Sequence, residues 1–105
     1  MRIETPEVKR EDGSKFKIVI GIGEYSYGNL TWKIADVMIK EPRKRNWIGH
    51  ETSIGNSLQY SGIPYDERNS VIQQKLTELV GEEWVKKAFQ YAYDYIKPDI
   101  LKGEF

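Results

Sequence analysis

Residues 11–22 read EDGSKFKIVIGI, a turn signal followed by a strand pattern. Asp12-Gly13 is a strong hairpin signal because both positions tolerate positive φ. The apolar side chains of one strand face then recur at every second position: Phe16, Ile18, Ile20 and Ile22. Lys17 opens the opposite face. We therefore predict a β-hairpin in which residues 15–22 return antiparallel to a first strand, Ile3–Arg10.

Residues 25–40 continue the strand-rich half with one ambiguous element. Tyr25–Asn29 contains Gly-Asn and predicts a second turn. Leu30–Lys40 alternates like a strand, changes parity once, and regains its register if a bulge lies near Ala35-Asp36. The same residues also fit a helix capped by Asn29. Their β-branched and aromatic side chains favour the strand, which Pro42 ends because it lacks an N–H donor.

The second half carries helical patterns. Residues 43–65 are rich in Gly, Ser, Asn and Pro, with a possible fourth strand at 46–53. A helix over 66–80 follows, with Asp66 as its N-cap and Gly81 at its C-terminus. A second helix covers 82–97 and is stopped by Pro98. The tail, 98–105, is predicted to be loose.

These elements predict a single α+β domain over residues 1–105. A small antiparallel sheet of three to four strands, within about residues 3–53, is packed on one face by the helices at 66–80 and 82–97. The inner face of the last helix is predicted to carry Trp84, Val85, Ala88, Ala92, Tyr95 and Ile96.

Composition excludes several classes of function. Sixteen basic residues balance sixteen acidic ones, so no global field draws the chain to nucleic acid or an anionic membrane. The absence of cysteine excludes disulfides, thiolate nucleophiles and Cys-ligated metals. The N-terminal residues show no apolar signal-peptide core, and we expect a cytoplasmic protein.

The densest charge lies in residues 40–50, here called the basic-aromatic segment. Its candidate binding residues are Lys40, Arg43, Lys44, Arg45, Trp47 and His50. The cations suit phosphates and Trp47 suits stacking on a base, with Lys33 as a possible extension. Alternatively, Trp47 turns into the core and the charges only solvate the loop. Three basic residues in a neutral chain are a small footprint for phosphate binding.

The last helix offers a second candidate surface. Its aromatic side chains occupy more than one helical stripe, so some must lie outside the core. The interface candidates are Phe89, Tyr91 and Tyr93. Exposed aromatic clusters often mark partner-binding sites. The strand edges of the sheet are a further docking option.

No catalytic motif, metal site or cofactor site is predicted. His50 is the only histidine, and no nucleophile or acid stands at a spacing typical of a triad. An enzyme centred on His50 is the least supported interpretation. The sequence favours a non-enzymatic module that binds a protein partner or itself, through the last helix or the basic-aromatic segment. The alternative is a nucleic-acid-binding accessory protein that uses residues 40–50.

Overall fold

A computed structural model describes residues 1–24 and 30–102, so the turn predicted at 25–29 and the last three residues of the tail lie outside the described residues. The strands are β1 (Arg2–Glu4), β2 (Val8–Lys9), β3 (Lys15–Glu24), β4 (Leu30–Lys40) and β5 (Ile48–Gly49). The helices are α1 (Glu51–Ser57), α2 (Arg68–Val80) and α3 (Glu82–Lys102). No helix in the described part is long and apolar enough to cross a membrane.

The α+β class is confirmed. The five strands form one antiparallel sheet. Strands β1 and β2 pair one after the other with the same edge of β3, β4 pairs with its other edge, and β5 pairs with β4. Helices α2 and α3 pack on one face of this sheet. Their contact residues and those of the sheet form one buried core: Ile3, Phe16, Ile18, Ile20, Ile22, Ile34, Val37, Leu76, Val85, Ala88, Ala92 and Ile96.

The predicted hairpin is confirmed at residues 10–14. Gly13 has a φ of 89°, and the Arg10 N–H donates to the Ser14 carbonyl over 2.8 Å. The Asp12 carboxylate accepts hydrogen bonds from the Ser14 hydroxyl at 2.6 Å and the Ser14 N–H at 2.8 Å. These bonds favour the charged form, so the Ser14 hydroxyl and then its N–H lower the pKa of Asp12.

The prediction of one strand over Ile3–Arg10 is wrong, because two short strands occupy this range. Three residues, 5–7, stand opposite two residues of β3, 17 and 18, so the register shifts by one between β1 and β2. Pro6 lies in this interruption and has no N–H to give to a ladder. The Thr5 hydroxyl accepts the Ile18 N–H at 3.0 Å and satisfies that donor.

Leu30–Lys40 is a strand, as its composition favours. The register with β3 shifts between Val19 and Ile20, which pair with Asp36 and Ile34 and leave Ala35 as the extra residue. The bulge predicted near Ala35-Asp36 is therefore confirmed. It lets Ile34 and Val37, which have opposite parity, both reach the core.

Helix α1 was not predicted. Only Ile48–Gly49 of the predicted strand at 46–53 is extended, and a helix begins at Glu51. A side chain of strand β4 caps the N-terminus of α1: Asp36 Oδ1 accepts the N–H groups of His50 at 2.8 Å and Glu51 at 2.9 Å. The negative carboxylate also suits the positive end of the helix. A Cβ on Gly49 would clash with this carboxylate, which explains the glycine.

Helix α2 begins two residues later than predicted. A 3₁₀ turn occupies Tyr65–Glu67, and Asp66 lies inside it, so Asp66 is not the N-cap; Glu67 takes that position without a side-chain capping bond. The prediction for the other end is confirmed, since Gly81 ends the helix with a φ of 100°. Gln73 joins α2 to the sheet with two 2.8 Å hydrogen bonds to the backbone N–H and C=O of Ile34.

The prediction that Pro98 stops the last helix is wrong. Helix α3 continues to Lys102 with Pro98 inside it. Pro98 removes the N–H that would bond to the Asp94 carbonyl, and Asp94 is exposed, so water can satisfy that carbonyl. Ile96 is fully buried and Ile100 packs against the core beyond the proline. Burial on both sides thus keeps the segment helical, so residues 98–102 of the predicted loose tail belong to α3.

The predicted inner face of α3 is correct for four of its six residues. Val85, Ala88, Ala92 and Ile96 are buried. Trp84 is 37% exposed and Tyr95 is 65% exposed, so neither belongs to the core. Two of the four buried residues are the small side chains Ala88 and Ala92, while the larger Trp84 and Tyr95 lie outside the core.

Candidate functional site

The face of the sheet opposite α2 and α3 is here called the open face. Side chains alternate along a strand, so residues next to buried Phe16, Ile18 and Ile20 lie on this second face. Val19 and Gly21 belong to it and are nevertheless buried. A Cβ on Gly21 would meet the Ala35 Cβ at 3.3 Å and the Lys33 stem at 3.6 Å, so side chains of β4 cover Gly21 on this face.

Three lysines face one another across the open face. Lys9 of β2 pairs with Lys15 of β3, and Lys15 pairs with Lys40 of β4. We call this set the lysine row. Directly opposed like charges destabilise a sheet, because their Cβ atoms lie only about 5 Å apart. One carboxylate, that of Glu7, lies 3.5 Å from the Lys15 ammonium. The row therefore retains positive charge that a bound anion would neutralise.

Trp47 is half-buried and lies on the open face, not in the helix-facing core. The Lys17 ammonium is 4.8 Å from the centre of its ring and 3.2 Å from the Glu4 carboxylate. The β4–β5 register pairs Ile39 with Ile48, which brings Trp47 opposite Lys40. The tryptophan therefore stands beside the lysine row, with the Lys17 ammonium over its ring.

Arg43, Lys44 and Arg45 form an exposed turn at the same end of the sheet. The Lys44 N–H donates to the Glu41 carbonyl over 3.1 Å, and Arg43 has a φ of 64°, which is uncommon outside glycine. Among the side chains described for residues 1–23 and 30–100, the ion pairs are Lys15 with Glu7 and Lys17 with Glu4, and neither includes these three cations. The turn continues the lysine row directly, since it follows Lys40.

The hairpin turn adjoins this basic turn. A Cβ on Gly13 would lie 3.6 Å from Pro42, so the two turns pack side by side. Glu11 and Asp12 bring negative charge to this end. Over residues 1–49 the chain has ten basic and seven acidic residues, a net charge of +3 in a protein whose formal charge is zero. The positive excess thus belongs to the sheet half of the molecule.

His50 is not grouped with the basic turn. It precedes α1, and its Nδ1 lies 3.2 Å from the Val37 carbonyl while its N–H donates to Asp36. These contacts give His50 a structural role at the start of α1. In the described part of the chain, no three metal-ligating side chains converge on one point.

The three predicted interface residues of α3 do not share one surface. Tyr91 is 40% exposed and faces β1 and β2. Tyr93 is turned towards Trp32, with ring centres 6.2 Å apart. Phe89 is partly buried against the core. The predicted aromatic cluster is therefore divided between two sides of the helix.

A groove runs between the β1–β2 edge and α3, and we call it the edge groove. Its α3 wall is formed by the aromatic stripe Trp84, Tyr91 and Tyr95, spaced seven and four residues apart. One hollow of about 180 Å³ extends from Pro6 and Val8 to Trp84 and Tyr91. A second hollow, of about 250 Å³, shares Tyr91 and extends to Met1 and Tyr95.

Lys9 and Lys15 were not among the candidate residues taken from the sequence, and Trp84 and Tyr95 were predicted to lie on the inner face, whereas both are exposed. The lysines are separated by up to 31 positions, and only the strand register aligns them. One signal was available: Lys15 and Lys17 alternate with the core side chains of β3 and had to share a face. For Tyr95, the helical periodicity alone does not decide between two neighbouring stripes.

Comparisons with known proteins returned no match: no family model, no curated protein and no solved structure is similar to this chain.

Proposed function

We propose that this protein is a non-enzymatic nucleic-acid-binding module that uses the open face of its sheet. The lysine row is the observation that carries the proposal. Opposed lysines cost stability in the free protein, and phosphate groups between them would convert that repulsion into attraction. The exposed cations at 43–45 extend the footprint beyond the end of the sheet.

Trp47 gives the proposed site an aromatic component. Non-sequence-specific binding of single strands combines a basic track with rings on which bases stack. The Lys17 ammonium lies over the Trp47 ring and the strand register sets Trp47 next to Lys40, so a base stacked on the free face of the ring would bring its phosphates towards these lysines. A sheet face with basic side chains and one ring can contact the backbone and bases of an unpaired strand, and we propose single-stranded nucleic acid as the ligand.

Fluorescence anisotropy with labelled single-stranded DNA and RNA across a salt series tests this proposal. The test variant is Lys9→Ala/Lys15→Ala/Lys40→Ala. A matched control removes three exposed lysines from the helical side: Lys75→Ala, Lys86→Ala and Lys97→Ala. Both variants change the net charge by −3, so only the position of the charge differs between them.

We expect the lysine-row variant to lose most of its affinity and the control to keep it. For single strands the slope of log K against log salt is roughly 0.7 per phosphate contact, so the test variant should lower it by about 2. Trp47→Ala should weaken binding without changing the slope. Equal losses in both triple variants, or no binding by the wild type at low salt, would refute the proposal.

The edge groove favours a second candidate function, binding of a protein partner. Its aromatic stripe exposes Trp84, Tyr91 and Tyr95 beside a strand edge, and such apolar surface is typical of interfaces. Tyr91→Ala/Tyr95→Ala should abolish association with a partner. Tyr60→Ala, at a 91% exposed tyrosine remote from the groove, is the matched control. Equal binding by both variants would contradict this assignment.

A further inference from the structure

The outer edge of β1 has backbone groups that point away from the sheet. Met1 and Ile22 exchange two 2.8 Å hydrogen bonds, and the Thr5 N–H donates to Ile18 over 2.9 Å. In an antiparallel ladder the inward-bonding residues alternate with outward-facing ones. The N–H and C=O groups of Arg2 and Glu4 therefore face outward, and among the described strands only β3 pairs with β1.

We infer that a second copy of this chain docks here, with the two β1 strands antiparallel and Ile3 on the two-fold axis. This register places Arg2 of each copy opposite Glu4 of the other. Both residues present outward-facing backbone groups, so each such pair exchanges N–H···O=C bonds. Their side chains lie on the open face with opposite charges directly across the new strand pair, which stabilises it.

The register follows from the sequence of β1 itself. If the second copy were shifted by one residue, the outward-facing backbone groups of Arg2 and Glu4 would stand opposite residues whose N–H and C=O groups already bond to β3. No hydrogen-bonded ladder would then form between the two copies. A shift by two would place Arg2 opposite Arg2 or Glu4 opposite Glu4 of the second copy, which is repulsive. Pro6 prevents extension of the ladder beyond Thr5. The charge pattern is thus self-complementary in one register only.

The helix face contributes apolar surface to the same contact. Tyr91 and Tyr95 of α3 stand beside β1 on the core side of the sheet, and Met1 is 59% exposed next to them. Pairing of the β1 strands brings the two edge grooves together, so these side chains become covered. A chain with zero net charge opposes this approach with little long-range repulsion.

This inference deepens the second candidate function, since it names the partner, and it is independent of nucleic-acid binding. The test uses charge reversal. In Arg2→Glu, glutamates meet across the interface; in Glu4→Arg, arginines meet. A mixture of the two variants restores both opposite-charge pairs, because one copy presents two glutamates and the other presents two arginines.

Analytical ultracentrifugation over a concentration series gives the readout. We expect the wild type to approach twice 12.3 kDa, each variant alone to remain near 12.3 kDa, and the equimolar mixture to regain the dimer. Arg10 also lies in the sheet half, but its guanidinium bonds to the Leu79 carbonyl. Arg45→Glu, on the exposed basic turn, is therefore the matched charge control and should dimerise like the wild type.

The mixture separates this inference from effects on folding. Rescue by mixing requires both variants to be folded, and circular dichroism of each variant alone checks this. A monomeric wild type, dimeric single variants, or a mixture that stays monomeric while both variants are folded overturns the inference. If the chain is monomeric and a different protein binds in a Tyr91-dependent manner, self-association fails while the second candidate function stands.

Discussion

Replacement of Asp36 by alanine should unfold the start of α1 and free the loop before it. Asp36 Oδ1 accepts three backbone N–H groups: Val37 at 2.8 Å, His50 at 2.8 Å and Glu51 at 2.9 Å. Hydrogen bonds to a charged group contribute about 1.5–3 kcal/mol each, and loss of a helix cap costs roughly 1 kcal/mol. Two of the three bonds join distant segments. We expect Asp36→Ala to lower the free energy of unfolding by about 3 kcal/mol.

Urea unfolding followed by circular dichroism measures this loss, with Asp66→Ala as the control. Asp66 is the aspartate that sequence reasoning places at a helix cap, and no side-chain capping bond is formed at its 3₁₀ turn or at the start of α2. Its replacement should change stability by less than about 0.5 kcal/mol. Asp36→Asn keeps an acceptor oxygen without the charge, so its free energy of unfolding should lie between those of Asp36→Ala and Asp66→Ala.

Equal stability of Asp36→Ala and Asp66→Ala would contradict the capping role of Asp36. A double-mutant cycle with Gly49→Ala adds an independent check, because the new methyl group would clash with the Asp36 carboxylate. Gly49→Ala should be strongly destabilising in the wild type and nearly neutral in Asp36→Ala. Additive effects would show that the two sites do not contact each other.

Three further changes have defined outcomes. Lys9→Glu places opposite charges across β2 and β3, so urea unfolding should show a gain of about 0.5 kcal/mol while anisotropy shows weaker oligonucleotide binding; a loss of stability would contradict the repulsion assigned to the lysine row. The lowered pKa of Asp12 stabilises the fold above the pKa of the unfolded chain, and this contribution is lost as pH falls through the native pKa. Ser14→Ala should raise the native pKa towards its ordinary value in an NMR titration, and an unchanged pKa would exclude the Ser14 hydrogen bonds as its cause. Pro98→Ala restores an N–H donor for the Asp94 carbonyl, so thermal unfolding should show a stability gain of about 1 kcal/mol. A variant with less helix than the wild type would contradict this expectation.

The predictable parts of this fold are those encoded by neighbouring residues. The hairpin depends on Asp12-Gly13, and the β4 bulge follows from the change of parity after Ile34. Helix α1 was missed because its capping group, Asp36, lies 15 positions before Glu51 in the chain. The seven-residue helix has Gly55 and two serines, so its own propensity gives no helical signal.

The candidate site was only partly predictable for a related reason. The basic-aromatic segment is contiguous, and composition alone finds it. The lysine row depends on two register shifts, one at residues 5–7 and one at Ala35, and an error of one position at either would move a lysine to the opposite face. Burial of Trp47 was equally open, since a tryptophan beside a sheet can cover either face. Alignment across strands therefore carries information that composition does not.

The Gln73 side chain has a consequence for how this fold opens. Strand β5 is too short to reach Ile34, so the amide of Gln73 bonds to the N–H and C=O that a neighbouring strand would otherwise occupy. We therefore expect hydrogen exchange at the Ile34 amide to follow undocking of α2 and not separation of strands. Undocking of α2 would expose the unpaired backbone groups of β4 at Ile34. We therefore expect the docked helix to hinder strand pairing between partly unfolded chains.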